Sequence, residues 1–270
     1  DNNTAVGTLA LGCNTTGTDN VAVGKTALQA NTTGVFNTAV GKDALLANTT
    51  GCLNTAVGKA ALCRNTTGCT NTAIGRDAML ANTTGDFNVA VGHETLDSNT
   101  TADNNTAVGA SALATNTTGS GNVAIGKSAM QSHTTGVNNT AVGVCASYTS
   151  TTAEYSTLVG YKSSFSTTTG FNNSTLGACT LHDNTTGARN TAVGNSAMQA
   201  NTTGACNVGM GLSALRYNTT GIENAAFGTY ALDANVSGNR NTAIGFAALG
   251  QVTSSNNVAV GDRALDAVTS

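Results

Sequence analysis

Apolar side chains return along this chain at one fixed interval, and between returns their spacing changes character. Let the glycine that closes each "AVG" or "AIG" be position zero. Position −1 is then Val, Ile, Leu, Met or Phe in every copy, −2 is nearly always Ala, −3 is mostly Thr or Val, and −4 is nearly always Asn. A period of two predicts a short strand. Its bulkier face, Val40 and Thr38 for instance, is expected to point inward, and the alanine column of Ala39, Ala56 and Ala73 to point away from the core. After the glycine, +3 is mostly Ala, +4 mostly Leu or Met and +7 mostly Asn, with variable polar residues at +1, +2, +5 and +6. Positions 0, +3, +4 and +7 share one face of a helical turn. Residues 42–47 and their equivalents are therefore expected to form one or two helical turns, and "NTTG" to reverse the chain.

The closing glycines, from Gly7, Gly24 and Gly41 to Gly245, are 17 residues apart at every step, and only the step to Gly261 is one residue short. Sixteen copies fill residues 1–270. A unit this short cannot bury its own apolar face, so stacking is required. The expected fold is a parallel β-solenoid of sixteen 17-residue coils, each a short strand plus a short helical turn, forming one continuous domain with no second one. Register predicts one amide ladder through Asn37, Asn54 and Asn71 and another through Asn31, Asn48 and Asn65. Asn48 and Gly51 are expected to supply the left-handed backbone of the turn. One conflict is visible at once: paired strands lie about 4.8 Å apart, whereas packed helices need roughly 8–10 Å. Either the helical turns splay outward or they are too tight to be helices.

Composition narrows the functional classes. Charged residues are 9% of the chain, net charge is −3, and there is no Pro or Trp. Asn and Thr dress the surface instead. No basic patch suits nucleic acid, and no apolar run is long enough to insert in a membrane. No signal peptide is expected, and the chain opens in mid-repeat.

Copies of "NTAVGxxALxxNTTGxx" resemble the repeats of phage tail-fibre and microbial surface-fibre proteins. "NVAIGKSAM" at Asn122–Met130 is also similar to rungs in the heads of trimeric autotransporter adhesins. The first resemblance spans the chain and the second only the strand half. Both imply a fibre or adhesive stalk outside the cell or on a virion, with no catalytic residue and no cofactor.

Residues with chemical potential fall into the repeat. "GMGLSA" at Gly209–Ala214 has the spacing of a dinucleotide fingerprint but arises from Gly at −2 of an ordinary copy, and neither a long helix nor an acidic partner follows. His93, His133 and His182 occupy three different columns, which argues against a metal site or a nucleophile–base pair. Cys52 and Cys69 share position +11 in adjacent coils, within disulfide reach; the alternative is two small apolar residues at a variable position. Asn14, Asn31, Asn48, Asn65, Asn82, Asn99, Asn116, Asn184, Asn201, Asn218 and Asn235 head N-glycosylation sequons. The same column is the structural turn, and glycans one coil apart would collide.

From His133 to Thr180 the pattern breaks. Leu at +4 becomes Ser147 and Ser164, Asn at +7 becomes His133, Ser150 and Thr167, and Tyr148, Tyr155, Tyr161, Phe165 and Phe171 gather nearby. This stretch is either a loosened bend refilled by large side chains or a binding patch for a cell-surface glycan or partner.

The function expected from these observations is that of a structural component of an extracellular or virion fibre, adhesive in some settings, because the columns serve stacking and none serves catalysis. The alternative is an ice-binding or glycan-recognition solenoid, with Thr at +8 and +9 as the array. Neither terminal repeat is blunted by polar capping residues. Self-association is therefore expected, head-to-tail polymerisation ahead of a lateral homotrimer.

Overall fold

The computed structural model describes residues 2–266, and the chain forms two compact units, Asp1–Val137 and Asn138–Ser270. Each is a parallel β-solenoid of eight coils. The first carries β1 (Thr4–Val6) to β8 (Val123–Ile125), and the second β9 (Thr140–Val142) to β16 (Val258–Val260). Every strand has three residues, and within each unit consecutive strands pair in parallel. Thr38 meets Thr55, Ala39 meets Ala56 and Val40 meets Val57. The 17-residue coil and its register are as the spacing predicts. The last four residues of the final repeat lie outside the described residues.

The facing of the strand is the reverse of the expectation. Ala39, Ala56 and Ala73 are fully buried, whereas Val40 and Val57 are only half-buried and Ile74 is exposed. The cause is the thinness of the coil. Position −2 packs directly against +4, where a Leu or Met already fills the space, so only a small residue fits. Exceptions confirm this reciprocity. A Cβ at Gly209 would come within 2.9 Å of Met198 Cγ. Where +4 shrinks to Ser147 and Ser164, −2 grows to the buried Leu158. The β-branched residues at −1 and −3 stay on the outer, pleated surface that suits them.

The helical turn is also corrected, since no helix occurs among the described residues. Ala44 and Leu45 both face inward because the backbone alternates in hand: Asp43 and Leu45 are left-handed, with φ of 60° and 50°. Alternation swings successive N–H groups to opposite sides of the coil. Asp43 N–H reaches back to Lys25 O at 3.1 Å, and Leu45 N–H reaches forward to Ala61 O at 3.0 Å. Such an arc rises by one strand spacing per coil, which a helix cannot do. A left-handed non-glycine residue costs about 1–2 kcal/mol, and burial of each Leu side chain returns roughly 1.5–3 kcal/mol.

Gly51 was expected to supply positive φ, and it does not. That conformation belongs to +2, +4, +12 and the closing glycines, and Asn48 is not left-handed either. Gly51 is required for closeness, since a Cβ there would fall 2.3 Å from Asn48 Oδ1 and 2.5 Å from Gly68 O.

Candidate functional site

Six positions of each regular coil are buried, and they divide into an apolar half and an amide half. In one coil these are Ala39, Ala44 and Leu45 on one side and Asn37, Asn48 and Gly51 on the other. Both predicted ladders are present. Asn48 Nδ2 donates to Asn31 Oδ1 and to Gly51 O, each at 3.0 Å. Asn37 Nδ2 donates to Gly51 O at 2.8 Å, and Asn54 N–H donates to Asn37 Oδ1 at 3.1 Å. Buried amides satisfied in this way cost the fold little, whereas an unpaired one is expensive.

This network decides what the sequons can do. Asn31 and its equivalents are fully buried, and their Nδ2, the atom a glycan would occupy, is committed to the ladder. Glycan and ladder exclude each other in the folded coil; Asn14, in the first coil, is the half-buried member. The Thr column at +8 is committed too, with Thr32 Oγ1 donating to Thr49 O and Thr49 Oγ1 to Thr66 O, both at 3.0 Å.

The aromatic residues separate into two arcs. Tyr148 and Phe165 share +5 and stack at 5.2 Å, and His182 extends the column at another 5.2 Å. The ammonium of Lys162 lies 5.4 Å from the rings of both Tyr161 and Phe165, so Tyr161 joins this group. Tyr155 at +12 and Phe171 at +11 belong to another arc, where Arg189 covers the Phe171 ring at 5.3 Å. The gap left by Ser147 and Ser164 is not refilled by aromatics, which lie outside; Leu158 fills it from the opposite wall. Beside it Ser163 Oγ contacts Thr175 Oγ1 at 2.5 Å and Thr180 Oγ1 at 2.9 Å, a buried hydroxyl cluster. His182 was legible as a shared +5 and was missed because the histidines were weighed only for metal binding and catalysis.

Cys52 and Cys69 sit with their Sγ atoms 2.8 Å apart, both as thiols. Hydrogen bonding to Cys69, and then burial, push the Cys52 thiol up to about 11. Gly209 in "GMGLSA" is explained by its packing on Met198.

Asp77, His93 and Glu94 come together on neighbouring coils, a grouping that inspection of histidine columns alone does not reveal. Arg76 stands among them, touching His93 and lying 3.5 Å from Asp77 and 3.7 Å from Glu94. Its guanidinium is within ion-pair distance of both carboxylates, and the group reads as an exposed ion-pair network.

The remaining feature is the outer face of the sheet. The −3 and −1 columns hold no charged residue, and among them Ile74, Val108, Ile125, Leu176, Met210, Phe227 and Ile244 are exposed. In the second unit this face has a hollow of about 330 Å³ around Ser174 and Leu176. Compared with protein families and with curated proteins, the chain matches none.

Proposed function

We propose that this chain is a structural segment of an extracellular or virion fibre and that it associates with itself. The observation behind this reading is the polarity of the amide ladder. Where Asn follows Asn at +7, each donates to the coil before it and accepts from the coil after it, as in Asn48 to Asn31 and Asn65 to Asn48. The amide column therefore presents donors on one side and matching acceptors on the other, while the backbone arcs donate to both neighbours, Asp43 N–H to Lys25 O and Leu45 N–H to Ala61 O. Such a stack gains length without changing design, which suits a stalk or spacer, and head-to-tail contact between chains would use the bonds already used between coils.

Electron microscopy of the purified chain tests this. Filaments many chains long, with an axial repeat near 4.8 Å in fibre diffraction, support the reading. Particles of single-chain length at every concentration overturn the head-to-tail part.

An adhesive role for the second unit draws on Tyr161, which is half exposed at 51% and flanked by Lys162. An aromatic face beside an ammonium suits an acidic sugar. Tyr161→Ser should abolish binding on a glycan array, and an array without signal for the unsubstituted chain removes this role.

A further inference from the structure

The uncharged sheet face of the second unit carries a size code. Across all sixteen strands the −3 residue is Thr or Val with two exceptions, Ser174 and Ala225. The −1 residue is Val or Ile with three exceptions, Leu176, Met210 and Phe227. Both small residues stand in the same strand as a large one: Ser174 with Leu176 in β11 (Ser174–Leu176), and Ala225 with Phe227 in β14 (Ala225–Phe227). Both columns point outward, so the interior does not impose this reciprocity. Phe227 remains 40% exposed and Leu176 54% exposed.

We infer that this face is a pairing surface for a second copy of the same chain, packed sheet on sheet about a two-fold axis that runs along the stack. That axis lays coil on identical coil with the strands opposed, so each −1 side chain faces the −3 position of the other copy. Leu176 then meets Ser174 of the second copy beside the hollow there, and Phe227 meets Ala225. Large meets small at both places, as interdigitated sheet faces about 10 Å apart require. The opposite two-fold axis, along the strands, would set −1 against −1 and place Phe227 opposite Leu176, large on large. A second copy also has the same coil spacing automatically, so −1 faces −3 at all eight strands, with Met210 meeting Val208. The strip measures roughly 38 Å by 10 Å, about 400 Å² of plane for one partner, which places this unit alone among weak, concentration-dependent associations.

The pairing deepens the fibre reading by supplying its lateral contact, and it stands or falls separately from axial stacking. Light scattering on the full chain over a concentration series should show dimers, and Phe227→Glu should weaken dimerisation at least tenfold with an unchanged circular dichroism spectrum. The orientation is read from charge pairs. Thr191→Glu and Val193→Lys should each weaken dimerisation alone and restore it only when the two variant chains are mixed, because −3 faces −1. A monomer at all concentrations overturns the inference, whether large side chains simply lean over small ones in their own strand or the face orders ice, which thermal hysteresis would reveal. Dimers indifferent to Phe227→Glu, or restored only by a Val193→Lys and Met210→Glu mixture, overturn the surface or the axis. Pairs without filaments leave this inference standing and remove head-to-tail stacking; filaments one chain wide do the reverse.

Discussion

Asn116 Oδ1 is buried without a hydrogen-bond partner, because the next residue in its column is His133 and not Asn. His133 Nε2 takes over one role of the missing amide and contacts Gly136 O at 3.0 Å. It supplies no donor to Asn116. His133→Asn should therefore stabilise the first unit by about 1 kcal/mol, seen as a higher denaturant midpoint at unchanged slope.

The same side chain makes stability depend on pH. Burial lowers the His133 pKa below its ordinary value, so below about 6.5 the unfolded chain binds the proton more readily than the folded one. Stability should be complete above that value and decline as pH falls beneath it. In His133→Asn this part of the decline should vanish, which urea midpoints between pH 5 and 8 would measure.

Strand facing is tested by neighbours. Ala141 is fully buried and Val142 half-buried, so Ala141→Val should cost about 1–3 kcal/mol through overpacking. Val142→Thr, on the outer face, should stay within about 0.5 kcal/mol. Equal costs would reverse the assignment.

Closing glycines should be the least replaceable residues. Gly41 has φ of 136°, and a Cβ on it would fall 2.5 Å from Gly58 O. Gly41→Ala should cost at least about 2 kcal/mol, with fast hydrogen exchange confined to the adjoining coils.

The thiol pair gives a chemical test. Because its pKa is raised to about 11, Cys52 should react with iodoacetamide at pH 8 more slowly than the exposed Cys13. Mild oxidation should join Cys52 to Cys69, and closing a loop of this size is worth about 3 kcal/mol in the chain-entropy account.

Much of this architecture can be read from the chain because each coil must reuse its neighbour's geometry. The period, the strand positions and both Asn ladders follow from residues that recur at one spacing. Facing was not legible. Alternating Ala and Val reads as small side out and large side in, and the answer depends on how thin the coil is, which Met198 and Gly209 reveal only when seen in contact. The left-handed Leu45 was equally hidden, since leucine carries no signal for that conformation and its arc is held by the bond of Leu45 N–H to Ala61 O on one side and of Asp43 N–H to Lys25 O on the other. At the aromatic stretch, a shared +5 would have joined Tyr148, Phe165 and His182, while Leu158 lay unnoticed at a position normally given to alanine.

The short step between Gly245 and Gly261 shows where a coil tolerates a change of length. Asn257 still aligns with Asn241, donating to its Oδ1 at 2.9 Å, and Asn241 Nδ2 still finds a carbonyl, that of Ser254 at 2.8 Å. The lost residue falls between Val252 and Ser254, where the other coils carry their exposed threonine. Strand, closing glycine and inner arc all keep their places. That corner is a natural splice point: a peptide inserted there, coil after coil, would be displayed as a regularly spaced row of foreign loops on an undisturbed scaffold.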